Sequence, residues 1–210
     1  MRRSTKIGGV SGVILALGVM GLLVTVLGGE ETKEIVVTIE GLSSADKAAA
    51  FARGEDLRKG MKFAEAIKEY QKVVAGGEPC ALEAEAQYDI GLCYTWLGER
   101  DKAEAVFQRM LQTYADNGEA VANAEYGLAW VEIQKGELDA AVARLERMLR
   151  EQTCEDRELY ARAQFQIGRI YLAFVHDYEE AQAAFRKLLA NYPDSELVSH
   201  PFLDALRAER

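Results

Sequence analysis

Four times along the chain an alanine is followed one turn later by a large apolar side chain. The pairs are Ala66 and Tyr70, Ala103 and Phe107, Ala141 and Leu145, Ala181 and Phe185, with steps of 37, 38 and 40 residues between successive alanines. Twelve residues before each alanine, thirteen in the last copy, stands a small residue: Gly54, Gly91, Ala129 and Gly168. Between these markers Ala, Leu, Glu, Gln, Arg and Lys fall at helical period, without the strict alternation of a strand. Recurrence at this interval predicts stacked helix pairs, each burying its apolar flank on the next. A glycine in mid-helix costs roughly 1 kcal/mol against alanine, so its return at the same place implies a close approach. The spacing sets Gly91 of one helix against Ala103 of the next around a turn at Gly98, with Phe107 filling space toward the following pair.

Residues 87–107, QYDIGLCYTWLGERDKAEAVF, resemble a tetratricopeptide repeat through Ile90-Gly91, Tyr94, Ala103 and Phe107, with Gln87 where the leading aromatic would stand. The last copy matches through Ile167-Gly168, Tyr171, Ala181, Phe185 and Pro193, with Gln164 in the leading place. The first copy keeps Gly54, Ala66 and Tyr70; the third keeps Ala129, Gly136, Ala141 and Leu145. The resemblance implies an all-α superhelix, a solenoid of four such helix pairs. The pairs are placed at about 46–78, 79–116, 117–153 and 154–194, with surplus residues in loops at 76–79, 116–118 and 152–154. A short capping helix is expected within 195–210, centred on 202–208. Ser43-x-x-Asp46 and Thr153-x-x-Asp156 read as capping boxes opening the first and fourth pairs, and Pro79 suits a first helical turn.

The segment before the repeats differs in kind. Residues 7–27 carry no charge and hold twelve Leu, Ile or Val, preceded by Arg2, Arg3 and Lys6 and followed by Glu30, Glu31 and Glu34. As a helix this stretch measures roughly 31 Å, the thickness of a bilayer core. One transmembrane helix is therefore expected over 1–27, then a flexible linker over 28–45. The flanking charges put the amino end in the cytoplasm and the repeats on the far side, in the periplasm. A cleaved signal peptide ending near Gly28 is the alternative. The layout resembles bacterial cell-envelope proteins with one amino-terminal anchor and periplasmic repeats.

The whole chain carries a net charge of −9. That balance disfavours nucleic acid and anionic lipid surfaces as partners. The three cysteines are spaced too far apart on predicted helices to pair with one another, and Cys93 reads as a small apolar filler. The two histidines, His176 and His200, belong to no metal-ligand spacing, and no phosphate-cradling glycine loop occurs. No catalytic residue, metal or cofactor is therefore nominated, and oligomeric state is left open.

The expected activity is protein or peptide binding by a membrane-tethered scaffold. The alternative is a released periplasmic protein that coordinates outer-membrane or cell-wall assembly. The resemblance implies that first helices line a concave groove, which nominates Tyr88, Leu92, Trp96, Tyr126, Trp130, Ile133, Arg162 and Arg169 as partner-binding residues. Trp, Tyr and Arg are the side chains that anchor interfaces. Phe165 falls on the same lining.

Overall fold

The computed structural model describes the backbone of residues 13–18, 21–28 and 31–37, and backbone with side chains for 42–75, 80–200 and 203–204. Two compact units result, residues 1–41 and 42–210. In the first, β1 (Val13–Gly18), β2 (Gly21–Gly28) and β3 (Glu31–Val37) form an antiparallel meander in that order. Val13 pairs with Val26, Gly18 with Gly21, and Gly28 with Glu31. Within residues 7–27, where a single apolar helix is expected from the sequence, the described residues are strands instead. Within the flexible linker expected over 28–45, Glu31–Val37 instead pairs with β2. Valine, isoleucine and threonine favour the pleated backbone, while each glycine would cost a helix about 1 kcal/mol. Among the described residues no helix is long and apolar enough to cross a membrane.

The second unit holds, among its described residues, eight α-helices joined as four hairpins. These are α1 (Ser44–Lys59) with α2 (Phe63–Val74), α3 (Ala81–Trp96) with α4 (Arg100–Thr113), α5 (Gly118–Lys135) with α6 (Leu138–Glu151), and α7 (Arg157–Ile170) with α8 (Tyr178–Asn191). Ser43 caps α1 as read from the sequence, its hydroxyl accepting from the Asp46 amide at 3.2 Å. The fourth pair starts later than expected: Asp156 is the cap of α7, accepting from the Leu159 amide at 3.0 Å. Thr153 instead donates its hydroxyl to the Gly118 carbonyl, tying the start of α5 to the segment before α7. Every hairpin turn places one residue in the left-handed region, Met61, Gly98, Gly136 and His176 in turn. The extra residue near His176 is absorbed by a π-helical turn at Tyr171–Val175 that extends α7.

The small residues do what close approach requires, although their partners differ from the expected ones. A methyl group on Gly91 would lie 2.5 Å from Cζ of Phe107, so Gly91 meets that ring and not Ala103. Gly54 meets Tyr70 and Gly168 meets Phe185 in the same way. The opposite side of Phe107 rests on Gly127 of the next first helix. In the third pair Leu145 is the shorter side chain, and Ala129 joins it in one cluster. Between successive pairs the apolar core runs as consecutive layers, led by Tyr70, Ile90 and Cys93, then Phe107, Met110 and Val131, then Leu145, Leu159 and Phe185. Each such burial contributes about 1.5–3 kcal/mol.

After α8 the chain forms a short 3-10 turn, Glu196–Ser199, and Leu203 is fully buried in the last layer. Leu197, Val198 and Leu203 thus pack on the last layer from a 3-10 turn, where a capping helix is expected from the sequence. The loop and first-turn readings at 76–79, and the rest of the helix expected at 202–208, lie outside the described residues.

Candidate functional site

First helices of successive pairs pack on one another, α3 on α5 and α5 on α7, whereas second helices of successive pairs make far less direct contact. The array therefore curves with α1, α3, α5 and α7 on its inner side. Along that side the structure brings together most of the nominated residues. The Arg162 guanidinium lies 5.9 Å from the centre of the Tyr126 ring, and that of Arg169 6.0 Å from the Trp130 ring. Both arginines come from α7 and both rings from α5, one turn apart, so each cation of one helix covers a ring of its neighbour. Tyr88 sits half-buried with its ring 6.0 Å from Phe107. Burial raises the Tyr88 and Tyr126 hydroxyl pKa values. At Tyr126 a hydrogen bond from Trp130 and the two arginine charges work in the opposite direction.

Neither arginine is neutralised at close range among the described residues. Arg162 has Asp156 at 3.8 Å, and its Nε is buried without a hydrogen-bond partner. Arg169 donates to the Gln166 side-chain oxygen at 3.3 Å. Leu92 is half-buried against the second core layer, and Ile133 is 8% exposed, a member of the third layer. Trp96 does not join this group. It is 64% exposed and stacks on Phe63 at the start of α2, 6.2 Å away and nearly parallel, because the end of α3 lies beside the first hairpin turn. Phe165 is covered by the returning chain end, its ring 5.6 Å from His200.

A polar cluster escaped the sequence reading. Arg58 donates twice to Glu55, through Nε at 3.0 Å and Nη2 at 2.8 Å, and lies 3.5 Å from Asp89. The Tyr70 hydroxyl donates to the same Glu55 at 2.7 Å. Burial, with the neighbouring Glu55 charge, pushes the Asp89 carboxyl up to about 7 against the opposing pull of Arg58. Glu55 itself is lowered: burial alone would raise it, but its bonds to Tyr70 and Arg58 outweigh that. Charges three and four apart on a helix look like a solvated surface in sequence; here α3 packs over them. The inner side thus carries an ion-paired cluster at α1 and α3 and two arginines at α7.

Gln87 and Gln164, which stand where the repeat skeleton has its leading aromatic, each line a cleft on the outer side of the array, of about 400 and 250 Å³.

Tetratricopeptide-repeat family descriptions match residues 82–150 and 162–195. No curated protein matches the chain. Among solved structures, the MamA protein superposes with a TM-score of 0.50 at 21% identity, over 72% of this chain and 75% of its own. YrrB, described as a TPR protein with an unusual peptide-binding site, gives 0.49 at 22% identity, over 80% and 76%. A putative protein binding protein from Bacteroides ovatus gives 0.39 at 13%, over 78% and 97%. The MamA likeness is one of fold. With eight helices in four hairpins among its described residues, the helical unit is an all-α repeat solenoid, and two stretches of it match the tetratricopeptide-repeat family.

Proposed function

We propose that the chain is a protein-interaction scaffold whose inner groove holds a peptide segment of a partner with acidic groups at the α7 end. The observation that carries this reading is the pair Arg162 and Arg169, each within about 6 Å of an aromatic ring, the first with only the long Asp156 ion pair at 3.8 Å and the second with no carboxylate at ion-pair distance among the described residues. Seven residues apart on one helix, they stand about 10.5 Å from each other along its axis. That interval suits carboxylates three residues apart on an extended strand or two turns apart on a helix. Guanidinium groups already oriented by stacking lose little freedom on binding. Tyr88, Leu92 and Trp130 supply the apolar contact beside them.

Photo-crosslinking in cells from position 130, followed by mass spectrometry, tests this. A recurrent partner adduct that disappears with Arg162→Glu/Arg169→Glu is expected. Adducts indifferent to that double charge reversal would refute the groove reading.

In this proposal the scaffold works in the cell envelope with its amino-terminal segment at a membrane, an association that does not rest on a spanning helix, since the described residues within 7–27 are strands. Support comes from the uncharged residues 7–27 with cations before and carboxylates after them. A chain cleaved near Gly28 and released into the periplasm is the alternative. Membrane fractionation with intact-mass analysis separates them: retained Met1 in the membrane fraction supports the tether, a chain starting near Gly29 the released form, and a full-length cytosolic chain neither.

A further inference from the structure

Among the described residues the first unit is a single layer of three strands, with no second layer of its own. A sheet this small needs an apolar face covered to hold together. Its register sorts the positions unequally between the two faces. Val13, Leu15 and Leu17 of β1 pair with Val26, Val24 and Leu22 of β2, and all six fall on one face. On that face β3 adds Val37 and Ile35 opposite Leu22 and Val24, with Lys33 and Glu31 confined to the Gly28 end. The other face is mixed: Gly18 pairs with Gly21, Thr25 with Glu34, and Leu27 with Thr32. One face of the meander is therefore mostly aliphatic and the other is not.

Crossing a bilayer is closed to this sheet. Its strands have six, eight and seven residues, short of the roughly 9–11 that a membrane-crossing strand needs. β1 and β3 also each keep an edge without a strand partner among the described residues, and hydrocarbon does not tolerate unpaired edge amides and carbonyls. A sheet lying flat keeps those edges in the wet interfacial zone. A lipid surface also suits the aliphatic face better than a second copy of the chain. With three or four positions per strand, that face falls well short of the roughly 20–30 residues a side of a stable protein dimer. Charge points the same way. Arg2, Arg3 and Lys6 precede the sheet, the first carboxylate of the chain is Glu30, and the net negative charge is carried entirely by the residues from there on. Two such cationic segments repel each other, whereas anionic headgroups attract both.

We infer that the aliphatic face of the meander lies flat on an anionic lipid surface, with its strands in the membrane plane. The inference rests on the membrane association proposed above and specifies how that association is made. Affinity comes from apolar area entering the interface and from the three cations meeting headgroups.

Flotation of the purified full-length chain with phosphatidylcholine vesicles, with and without one quarter phosphatidylglycerol, tests the inference. Binding to the anionic vesicles is expected, weakened at least tenfold in Leu15→Gln/Val24→Gln, a cross-strand pair on the aliphatic face. Ala16→Gln/Leu23→Gln, the neighbouring pair on the other face, should change it less than threefold. Arg2→Gln/Arg3→Gln/Lys6→Gln should remove the preference for phosphatidylglycerol. Far-UV circular dichroism of each variant without lipid checks that the helices remain, and polarised infrared spectra of the bound chain should show strands in the membrane plane. Equal losses from the two pairs, no loss from either, an unchanged lipid preference without the three cations, or strands steep to the plane would each overturn the flat sheet while membrane association itself stands. A lipid-free dimer, seen by analytical ultracentrifugation and dissolved by Leu15→Gln/Val24→Gln, would give the face to a second copy and overturn it too. Absence of binding to either vesicle would overturn the inference and the membrane association together.

Discussion

Replacing Gly91 by alanine tests the packing rule on which the array depends. The new methyl would stand 2.5 Å from Cζ of Phe107, about 1 Å or more inside a comfortable carbon–carbon contact. Phe107 is fully buried, and its other side rests against Gly127, where a methyl would also come within 2.5 Å of the ring. The same ring atoms, Cδ1, Cε1 and Cζ, are thus approached by both helices. Overpacking of this kind costs about 1–3 kcal/mol, while alanine gains about 1 kcal/mol over glycine in helix propensity. The expected net is a loss of up to about 2 kcal/mol, read as a lower urea midpoint by far-UV circular dichroism. Gly60→Ala is the control. Gly60 ends α1 with φ −78°, and its added methyl meets nothing nearer than 3.4 Å, so that variant should be neutral or slightly stabilised. Shortening the ring in Gly91→Ala/Phe107→Leu should recover part of the loss, a coupling of about 0.5–3 kcal/mol. If Gly91→Ala is as harmless as Gly60→Ala, Phe107 is not clamped between the two glycines and the packing account fails.

Other outcomes follow from named contacts. The Asp89 carboxyl has a folded-state pKa of about 7 against an ordinary value of 3.8, so the folded chain holds this proton more tightly. Its stabilisation is complete below about pH 4 and lost as pH rises through 7. Asp89→Asn should therefore gain on the parent chain by up to roughly 3 kcal/mol between pH 5 and pH 8, and a pH-independent difference in urea midpoints would contradict the buried carboxyl pair. Arg144 bridges Glu125 and Glu132 from α6, so Arg144→Ala should cost about 1–3 kcal/mol, read as a lower urea midpoint. Gly118→Ala drives a methyl onto the Thr153 carbonyl, 2.9 Å from its carbon; backbone yields less than a ring, so the loss should exceed that of Gly91→Ala, as parallel melts would report.

The helix pairs and their turns were legible in the chain because a helix repeats its buried face every three to four residues. Gly54, Gly91 and Gly168 returned at one register for the same reason. What those glycines touch was not legible. A helix surface presents the same small residue to its hairpin partner and to the next pair, and periodicity does not say which neighbour takes it. Gly127 shows this: it lies two residues off the register of Ala129, yet it receives the second side of Phe107. The nominated Tyr126, Trp130, Arg162 and Arg169 converged because all four fall on the inner face of adjacent first helices. Trp96, on the same count, turned toward Phe63, since the last turn of a helix is also the start of its hairpin edge. The amino-terminal stretch misled in another way. Apolar content and length are common to a spanning helix and to a β meander, and pairing between distant residues decides the second.

Sequence alone thus determined the repeat, its helical character and the small residues at each crossing, because local spacing carries all three. Tertiary structure alone decided which rings meet which glycines, that Glu55, Arg58 and Asp89 form a buried charge cluster, and that the cleft at Gln87 stays open. Those depend on which surfaces the stacking of successive pairs brings within a few ångströms, and residues 15 to 39 apart in the chain carry no local mark of that meeting.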